Sequence, residues 1–304
     1  MTSEGDRTSG SCTRPSRLYL PKFDSCPATI LEYLLARFPQ INPNIWRDRV
    51  SRGHVTLSDG TTLTEDSPYR HGMTVFYRRE VPSEPDAAEE ALVVYRDENI
   101  LVADKPHGIP VTPAGEYLDR SLLVRLQRIT GLSTLAAMHR LDHDTAGLLL
   151  FTIDPSARAR YHRLFAERMI EREYVAAAHI LEAPTQRRWR VENRMESGDP
   201  WFRQRIVDGP VNAITEIELL DVREGAGLFR LLPATGRKHQ LRVHMASIGF
   251  PIAGDPFYPV IRERQDGDPP LQLLAKRLAF IDPLTGAAHS FVSARKLTGT
   301  FLPF

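Results

Sequence analysis

The spacing of apolar positions predicts two helices near the start of the chain. From Ala28 to Pro39, apolar residues recur every three or four positions, which predicts an amphipathic helix that the proline ends. Asn42 and Pro43 suit the cap and first position of a second short helix, which Gly53 closes. Two short strands and a connecting turn follow, in the order His54–Leu57, Asp59-Gly60 and Thr74–Tyr77.

The later part of the chain is predicted to be rich in strands. Leu148–Phe151 is a short apolar run after Gly147, which favours a buried strand over a helix. Helices are predicted over Ser121–Ile129 and from Asp154-Pro155 to about Met169. The other predicted strands are Leu92–Tyr95, Ile100–Ala103, Tyr174–His179, Ile214–Leu220, Phe229–Leu232 and Arg277–Ile281.

Two polar segments predict the domain boundaries. Residues 1–25 are rich in Ser, Thr, Gly and Arg and offer little to bury, which predicts a disordered tail. Glu80–Glu90 contains two prolines and further acidic residues, which is typical of a linker. We therefore expect a small module over residues 26–80, a linker over 81–90 and a larger domain over 91–304.

Composition places few limits on function. The 304 residues are 42% apolar and 25% charged, as in ordinary globular proteins, and no apolar run is long enough to cross a bilayer. Cys12 and Cys26 are the two cysteines, so we expect neither a disulfide framework nor a thiolate metal site, and a cytoplasmic location. With 39 basic and 38 acidic residues, RNA binding would require the basic side chains to cluster on one face.

The strongest local signal is the sequence HRLDHDTAGLLLF, His139–Phe151. It places the carboxylate of Asp142 on a loop that leads into the predicted buried strand. Such a carboxylate is held rigidly and can still face a cleft, which suits a catalytic acid, base or nucleophile. Taken alone, an aspartate here is more often a turn or capping residue.

Four segments in order resemble the pseudouridine synthases that modify large-subunit ribosomal RNA and tRNA. The family's His-Arg-Leu-Asp segment is matched here, with Ala146 in place of its serine. The segments are Asn99–Pro110, His139–Phe151, Arg172–Ala176, and Thr235–His244 with Gly249–Tyr258. The resemblance covers about residues 90–290 and implies an α+β catalytic domain on a mixed, largely antiparallel sheet. It also implies structured RNA as partner, a monomer, and a reaction that needs no cofactor and no metal.

The resemblance implies a catalytic role for three residues. Asp142 would act as nucleophile at the anomeric carbon or as base at the neighbouring ribose carbon, and the sequence leaves both open. Arg242 would pair with Asp142 through both carboxylate oxygens and keep it ionised. Leu241 and Val243 flank Arg242, and on an alternating strand they would point to the opposite side. Tyr174 would stack on the target base.

Other basic residues are predicted to contact RNA. Arg140 matches a family position that enters the RNA, where it would fill the gap left by a flipped base. Lys105 and Arg237 are expected to be scaffold or phosphate contacts. The helices of residues 26–80 resemble an S-four-type (α-L) RNA-binding module, in which Arg47, Arg49 and Arg52 would face RNA; a solvated basic helix face is the alternative.

Three questions stay open at this level. Residues 186–212 are basic and aromatic, so they could bind RNA or form a hairpin that packs its two tryptophans on the body. A non-catalytic RNA-binding protein is one rival hypothesis. A metal-dependent hydrolase is another, because His139, His143 and Asp144 crowd around Asp142. The target RNA is not given, with ribosomal RNA expected first and tRNA second.

Overall fold

The structure, a computed structural model, describes residues 10–11, 15–39, 41–81, 84, 90–115, 117–180, 182, 184–265 and 267–297. The chain divides into two compact units, residues 1–85 with 115–119 and residues 86–114 with 120–304. Most of the predicted linker and much of the predicted tail lie outside the described residues. The tail prediction is wrong for residues 16–19, because Ser16–Tyr19 forms a strand.

The smaller unit contains two helices and two small sheets. Helix α1 (Ile30–Arg37) begins at Thr29 in a capping box with Glu32, and Asn42 caps α2 (Pro43–Ser51). The strands are β1 (Gly10–Ser11), β2 (Ser16–Tyr19), β3 (Val55–Leu57), β4 (Thr74–Tyr77) and β5 (Glu80–Val81). An antiparallel sheet has the order β2-β4-β3, and β1 pairs with β5.

An aromatic core holds the smaller unit together. Trp46 is fully buried, and its ring lies against Phe38 and Tyr77. The neighbouring Ile45 on α2 is 44% exposed. The predicted turn at Asp59-Gly60 does form, yet it returns the chain to Thr61, whose carbonyl accepts from Leu57 N, and it does not connect β3 directly to β4.

The larger unit is dominated by strands. Its helices are α3 (Leu122–Thr130), α4 (Arg158–Ala166) and α5 (Gln240–Ser247). Its strands are β6 (Leu92–Arg96), β7 (Ile100–Lys105), β8 (Ala136–Ala137), β9 (Ala146–Thr152), β10 (Ile170–His179), β11 (Arg188–Ser197), β12 (Gln204–Val207), β13 (Ala213–Arg223), β14 (Ala226–Pro233), β15 (Leu273–Ile281) and β16 (Ala288–Val292).

One mixed sheet organises this unit and confirms the predicted α+β class. The main path is β12-β11-β13-β14-β10-β15-β9-β7-β6, with β16 beside β15 and β8 beside β9. Among the pairings in the described ranges, β9 with β15 is parallel and the others are antiparallel. The sheet is therefore largely antiparallel, as expected.

Strand β9 anchors the loop that carries Asp142. All seven residues of Ala146–Thr152 are buried, which explains why the sequence shows a continuous apolar run rather than alternation. Gly147 has a φ of +112°, and a Cβ at this position would collide with the backbone of Ala275 on β15. Only glycine therefore allows the two parallel strands to approach so closely.

The interpretation of Leu241–Val243 as an alternating strand is wrong. Gln240–Ser247 is helix α5, and His239 precedes it in the left-handed conformation with a φ of 55°. Its residues from Gln240 to Met245 are all buried, polar ones included. Because residues 240–245 present no solvent-exposed face, their sequence lacks the periodicity that distinguishes an amphipathic helix from a strand.

Candidate active site

Five of the residues predicted to act at the site line one open cleft of about 480 Å³ in the larger unit. They are Asp142, Tyr174, Arg242, Arg140 and Arg237. Asp142 and Arg140 come from the loop before β9, Tyr174 from β10, and Arg242 from α5. Segments far apart in the chain therefore meet at the cleft.

The cleft carries a strong excess of positive charge. Among its described lining residues Asp142 is the single carboxylate, against the arginines Arg140, Arg168, Arg172, Arg237 and Arg242. The balanced net charge of the whole chain conceals this local cluster. Such a cluster on one face is what affinity for phosphates requires.

Asp142 lies near the floor of the cleft with 16% of its side chain exposed. Burial raises the pKa of this carboxyl above its usual value, while Arg242, Arg140 and Lys105 act in the opposite direction. Arg242 was expected to keep Asp142 ionised, but this expectation is incomplete. Desolvation raises the pKa of Asp142 by more than the nearby cations lower it. A carboxylate in such a place is poorly solvated and correspondingly more basic.

Arg242 does not hold Asp142 through a two-point contact, so that expectation is wrong. Its Nη1 lies 3.8 Å from Asp142 Oδ2. The planar fork instead binds Asp255, with Nε donating to Oδ2 at 2.8 Å and Nη2 donating to Oδ1 at 2.6 Å. The guanidinium also lies over the rings of Phe257 and Tyr258, at 5.0 and 5.4 Å from their centroids. Arg242 thus faces Asp142 with Nη1, whereas its Nε and Nη2 bind Asp255.

Asp255 is the residue of this site that sequence reasoning missed. Its side chain is fully buried, and Oδ1 also accepts from Phe257 N at 2.8 Å and Tyr258 N at 3.2 Å. Burial disfavours the charged form of Arg242, but the bonds to Asp255 and the nearby carboxylates raise its pKa overall. In the sequence, Gly254-Asp255-Pro256 has the pattern of a turn, which masks this role.

Tyr174 contributes an aromatic wall. It is 7% exposed and lies at a register shift between β10 and β15, next to Glu173. Burial raises the pKa of its phenol, so the ring stays neutral at physiological pH. A neutral ring in the wall of a cleft offers the flat surface on which a base can stack.

A second carboxylate holds the Asp142 loop in place. Arg264 Nη1 donates to Asp144 Oδ1 at 3.0 Å, and His143 Nδ1 lies 2.9 Å from the same oxygen. Burial alone would raise the pKa of Asp144, but these partners hold it well below the usual range. His107 Nδ1 lies 2.6 Å from the Asp144 carbonyl oxygen. Both the side chain and the backbone carbonyl of Asp144 are therefore held, and this fixes the loop two residues after Asp142.

Lys105 cannot be the phosphate contact that the sequence allowed. It is fully buried, and Nζ donates to the carbonyl oxygens of Pro106, Ile109 and His143 at 3.0, 2.8 and 2.9 Å. Desolvation lowers the pKa of this amine to about 7. Its bonds join β7 to the Asp142 loop, which agrees with the scaffold alternative.

The three arginines of α2 differ from one another. Arg47 and Arg52 are exposed. Arg47 Nε lies 3.7 Å from Glu65 Oε2, and Arg52 Nη1 lies 3.3 Å from Asp48 Oδ2. Arg49 is 5% exposed, and its guanidinium lies 5.0 Å from the centroid of the Trp46 ring. The expectation that Arg49 faces RNA is contradicted by this burial, because its stem and guanidinium pack within the smaller unit.

The histidines near Asp142 have structural partners. His139 Nε2 accepts from Leu150 N at 3.1 Å, and its ring stacks on Phe165. Burial lowers the pKa of His139 to about 3, so the ring is neutral. Within the described ranges, no three His, Cys, Asp or Glu side chains come together in a group that could hold a metal ion. No described helix is long and apolar enough to span a bilayer.

Comparison with known proteins gives one family. Residues 99–247 match the family model described as RNA pseudouridylate synthase. The chain is 31% identical over 214 residues to the dual-specificity RNA pseudouridine synthase RluA of Salmonella typhi, covering 66% of this chain and 91% of that protein. It is 29% identical over 270 residues to the ribosomal large subunit pseudouridine synthase D of Zymomonas mobilis, covering 81% and 83%.

The fold comparison agrees. The structure of human RNA pseudouridylate synthase domain containing 1 superposes with a TM-score of 0.54 at 22% identity, covering 70% of this chain and 86% of that one. At this identity the similarity concerns the fold of the larger unit's sheet and helices rather than any single residue.

Proposed function

The chain belongs to the RNA pseudouridylate synthase family, and from this premise we propose that Asp142 is the residue on which its isomerisation of uridine depends. The observation that carries the proposal is the position of Asp142 as the single carboxylate among the described residues of an arginine-lined cleft. Arg242, held by Asp255, lies 3.8 Å away and orients it. No other described carboxylate is presented to the same cavity.

The chemistry requires one carboxylate beside the sugar of the target nucleotide. The bond between the base nitrogen and the ribose breaks, the uracil turns, and a carbon of the base forms the new bond to the ribose. That carbon then loses its proton and the freed nitrogen gains one, so the product is an isomer of uridine. Asp142 can attack the anomeric carbon or remove a proton from the neighbouring ribose carbon. Its raised pKa suits either role, because a desolvated carboxylate is a stronger base and nucleophile than one in water.

Two further residues complete the proposed site. The neutral ring of Tyr174 would hold the loose uracil by stacking while the base turns. Arg140 is exposed at the rim of the cleft and would occupy the space that a flipped nucleotide leaves in the RNA. Arg237, also exposed at the rim, would contact a phosphate.

We further propose large-subunit ribosomal RNA as the first candidate substrate and tRNA as the second. The name of the Zymomonas relative supports the first, since that protein acts on the ribosomal large subunit. The smaller unit, with two helices and an antiparallel sheet, is proposed to be an S-four-type module that helps to bind RNA. A monomeric state and a cytoplasmic location stay predictions.

Replacement of one atom tests the role of Asp142. Asp142→Asn keeps the shape of the side chain but can act neither as nucleophile nor as base, so we expect pseudouridine formation to fall at least about a thousandfold. Single-turnover assays on unmodified ribosomal RNA and tRNA transcripts would measure this, with circular dichroism to verify folding. Asp221→Asn, at an exposed carboxylate paired with Arg223 on β13, is the matched control and should keep full activity.

Two outcomes would contradict the proposal. Turnover of Asp142→Asn within tenfold of the wild-type rate would remove Asp142 from the mechanism. Loss of wild-type activity in EDTA, restored by a divalent ion, would favour the metal-dependent hydrolase instead. Mapping of pseudouridines in a deletion strain, by chemical adduct and reverse transcription, would then identify the RNA and the uridine.

A further inference from the structure

The hairpin of β11 and β12 leaves one tryptophan packed and the other open to solvent. Trp189 lies against Phe229 and Phe250, with ring centroids 6.1 and 5.5 Å away. Trp201, in the loop that joins the two strands, is 77% exposed. The alternative of a hairpin that packs both tryptophans on the body therefore holds for Trp189 but not for Trp201. An exposed indole offers a flat face on which a nucleic-acid base can stack.

A cation accompanies the exposed ring. Lys238 Nζ lies 5.6 Å from the centroid of Trp201. In the sequence, Lys238 lies between Arg237 and His239, and both of these residues line the cleft. Aromatic rings combined with basic groups are the means by which proteins hold single-stranded nucleic acid, because every base has a flat face and every nucleotide a phosphate.

Contacts between rings connect Trp201 to the reacting centre. Its neighbour Phe202 lies 5.1 Å from Phe257, and Phe257 lies 5.0 Å under the guanidinium of Arg242. Arg203, next in the loop, donates to the carbonyl oxygen of Pro259 at 2.8 Å. The loop is therefore fixed from Phe202 onwards against the same segment that holds Arg242, while the indole before it projects into solvent.

We propose that Trp201 and Lys238 form a binding site for a nucleotide of the substrate that flanks the target uridine. The base of that nucleotide stacks on the indole, and its phosphate pairs with the Lys238 ammonium. The inference rests on the proposed function for its ligand, RNA, but it requires no turnover. It deepens that function, because it adds a positioning contact outside the cleft that receives the target uridine.

RNA is favoured over a protein partner by the surrounding charge. The exposed side chains at the adjacent rim of the cleft include Arg140, Arg168 and Arg237, all positive. A protein partner docking on Trp201 would have to carry acidic groups to match this charge. A nucleotide chain that enters the cleft has its phosphates at this rim in any case.

Tryptophan fluorescence tests the stacking directly. The chain has three tryptophans, of which Trp46 is fully buried and Trp189 is packed, so acrylamide quenches mainly Trp201. We expect a stem–loop RNA with a uridine-rich loop to lower the quenching of the Asp142→Asn protein, and to have no such effect once Trp201→Phe is added. If the quenching by acrylamide is unchanged, because the RNA either does not bind or avoids the indole, the proposal is overturned.

Affinity separates the two contacts. Trp201→Ala should weaken binding of the same RNA by about fivefold to a hundredfold without changing the salt dependence, because stacking releases no counterions. Lys238→Gln should reduce the slope of log affinity against log salt by about 0.7. Trp201→Phe should keep most of the affinity. Ile206→Ala, which trims another exposed apolar side chain of the same hairpin, is the matched control and should have no effect.

The outcomes distinguish this inference from the proposed function. Wild-type affinity in Trp201→Ala overturns the stacking site, even if Asp142→Asn is inactive. Equal losses in Trp201→Ala and Ile206→Ala would show a general defect of the hairpin and would also overturn it. Pseudouridine formation that survives in Asp142→Asn would instead refute the role of Asp142 and leave the binding result standing.

Discussion

Two arginine–aspartate pairs, one in each unit, behave differently because of where they lie. In the larger unit, Arg242 and Asp255 are 2% and 0% exposed, and two hydrogen bonds join them. In the smaller unit, Arg52 and Asp48 form a pair of 3.3 Å between side chains that are both more than half exposed. The same two residue types thus hold a fixed geometry beside the cleft in one place and cover a helix surface in the other.

The difference teaches which charges can serve catalysis and which can serve only binding. A buried guanidinium has lost its water and must keep its partner, so its direction is fixed. An exposed guanidinium exchanges its partner for water or for a phosphate at little cost. We therefore expect the cleft arginine to position Asp142, whereas the exposed Arg47 and Arg52 on α2 could exchange their carboxylate partners for phosphates of an RNA.

The largest expected effect comes from breaking the buried pair. Asp255→Asn leaves Arg242 buried without a counter-charge, so we expect the free energy of unfolding to fall by about 3 kcal/mol. Asp48→Asn removes the partner of Arg52 at the surface and should cost less than about 0.5 kcal/mol. Denaturant titrations of both variants, followed by circular dichroism, would measure the two losses. Equal losses in the two variants would break the comparison.

The position of Asp142 beside a buried strand could be predicted from the sequence. Arg242 was also expected at the site, but its pairing with Asp255 was not. Asp142 stands four residues before β9, whose apolar run marks a buried strand without reference to the rest of the chain. Arg242 and Asp255 are separated by 13 positions and meet only in the folded protein. Residues 240–245 of α5 are all buried, which removes the periodic signal by which the helix itself would be recognised.

The two helices of the smaller unit were predicted because their signals are local, whereas its strand Ser16–Tyr19 was not. Thr29, Asn42 and Pro43 mark the ends of its two helices by capping chemistry that acts within four residues. Burial on α2 was less predictable. Trp46, Arg49 and Val50 share the inner face although one of them is charged, because the stem of an arginine packs on an indole as an apolar residue does.

The next effect concerns turnover and its pH dependence. Arg242 lowers the pKa of Asp142, so Arg242→Met should raise that pKa further above its usual value. Asp142 must be ionised to act, and turnover is lost as the pH falls through its pKa. The acid limb of the pH–rate profile should therefore move to higher pH, with about a hundredfold lower rate at neutral pH because orientation is lost as well.

A second substitution at this position separates charge from geometry. Arg242→Lys keeps the positive charge but cannot bind both oxygens of Asp255, so we expect only part of the rate to return. Single-turnover rates across pH on one RNA transcript would compare the three proteins. If the lysine variant matches the wild-type rate at every pH, the two hydrogen bonds from Arg242 to Asp255 are not needed for turnover. The buried pair would then contribute no more to the rate than an exposed pair could.

The smallest effect tests the exposed side of the comparison. Arg47 and Arg52 pair with the exposed carboxylates of Glu65 and Asp48, which phosphates can replace at little cost. Arg47→Gln with Arg52→Gln should reduce RNA affinity about fivefold and lower the salt slope by about 1.4, while single-turnover rates at saturating RNA stay unchanged. Arg70→Gln, at an exposed arginine of the same unit outside α2, is the matched control. If the double variant and the control have the same affinity and slope, α2 makes no phosphate contact, and its arginines form an ordinary solvated surface.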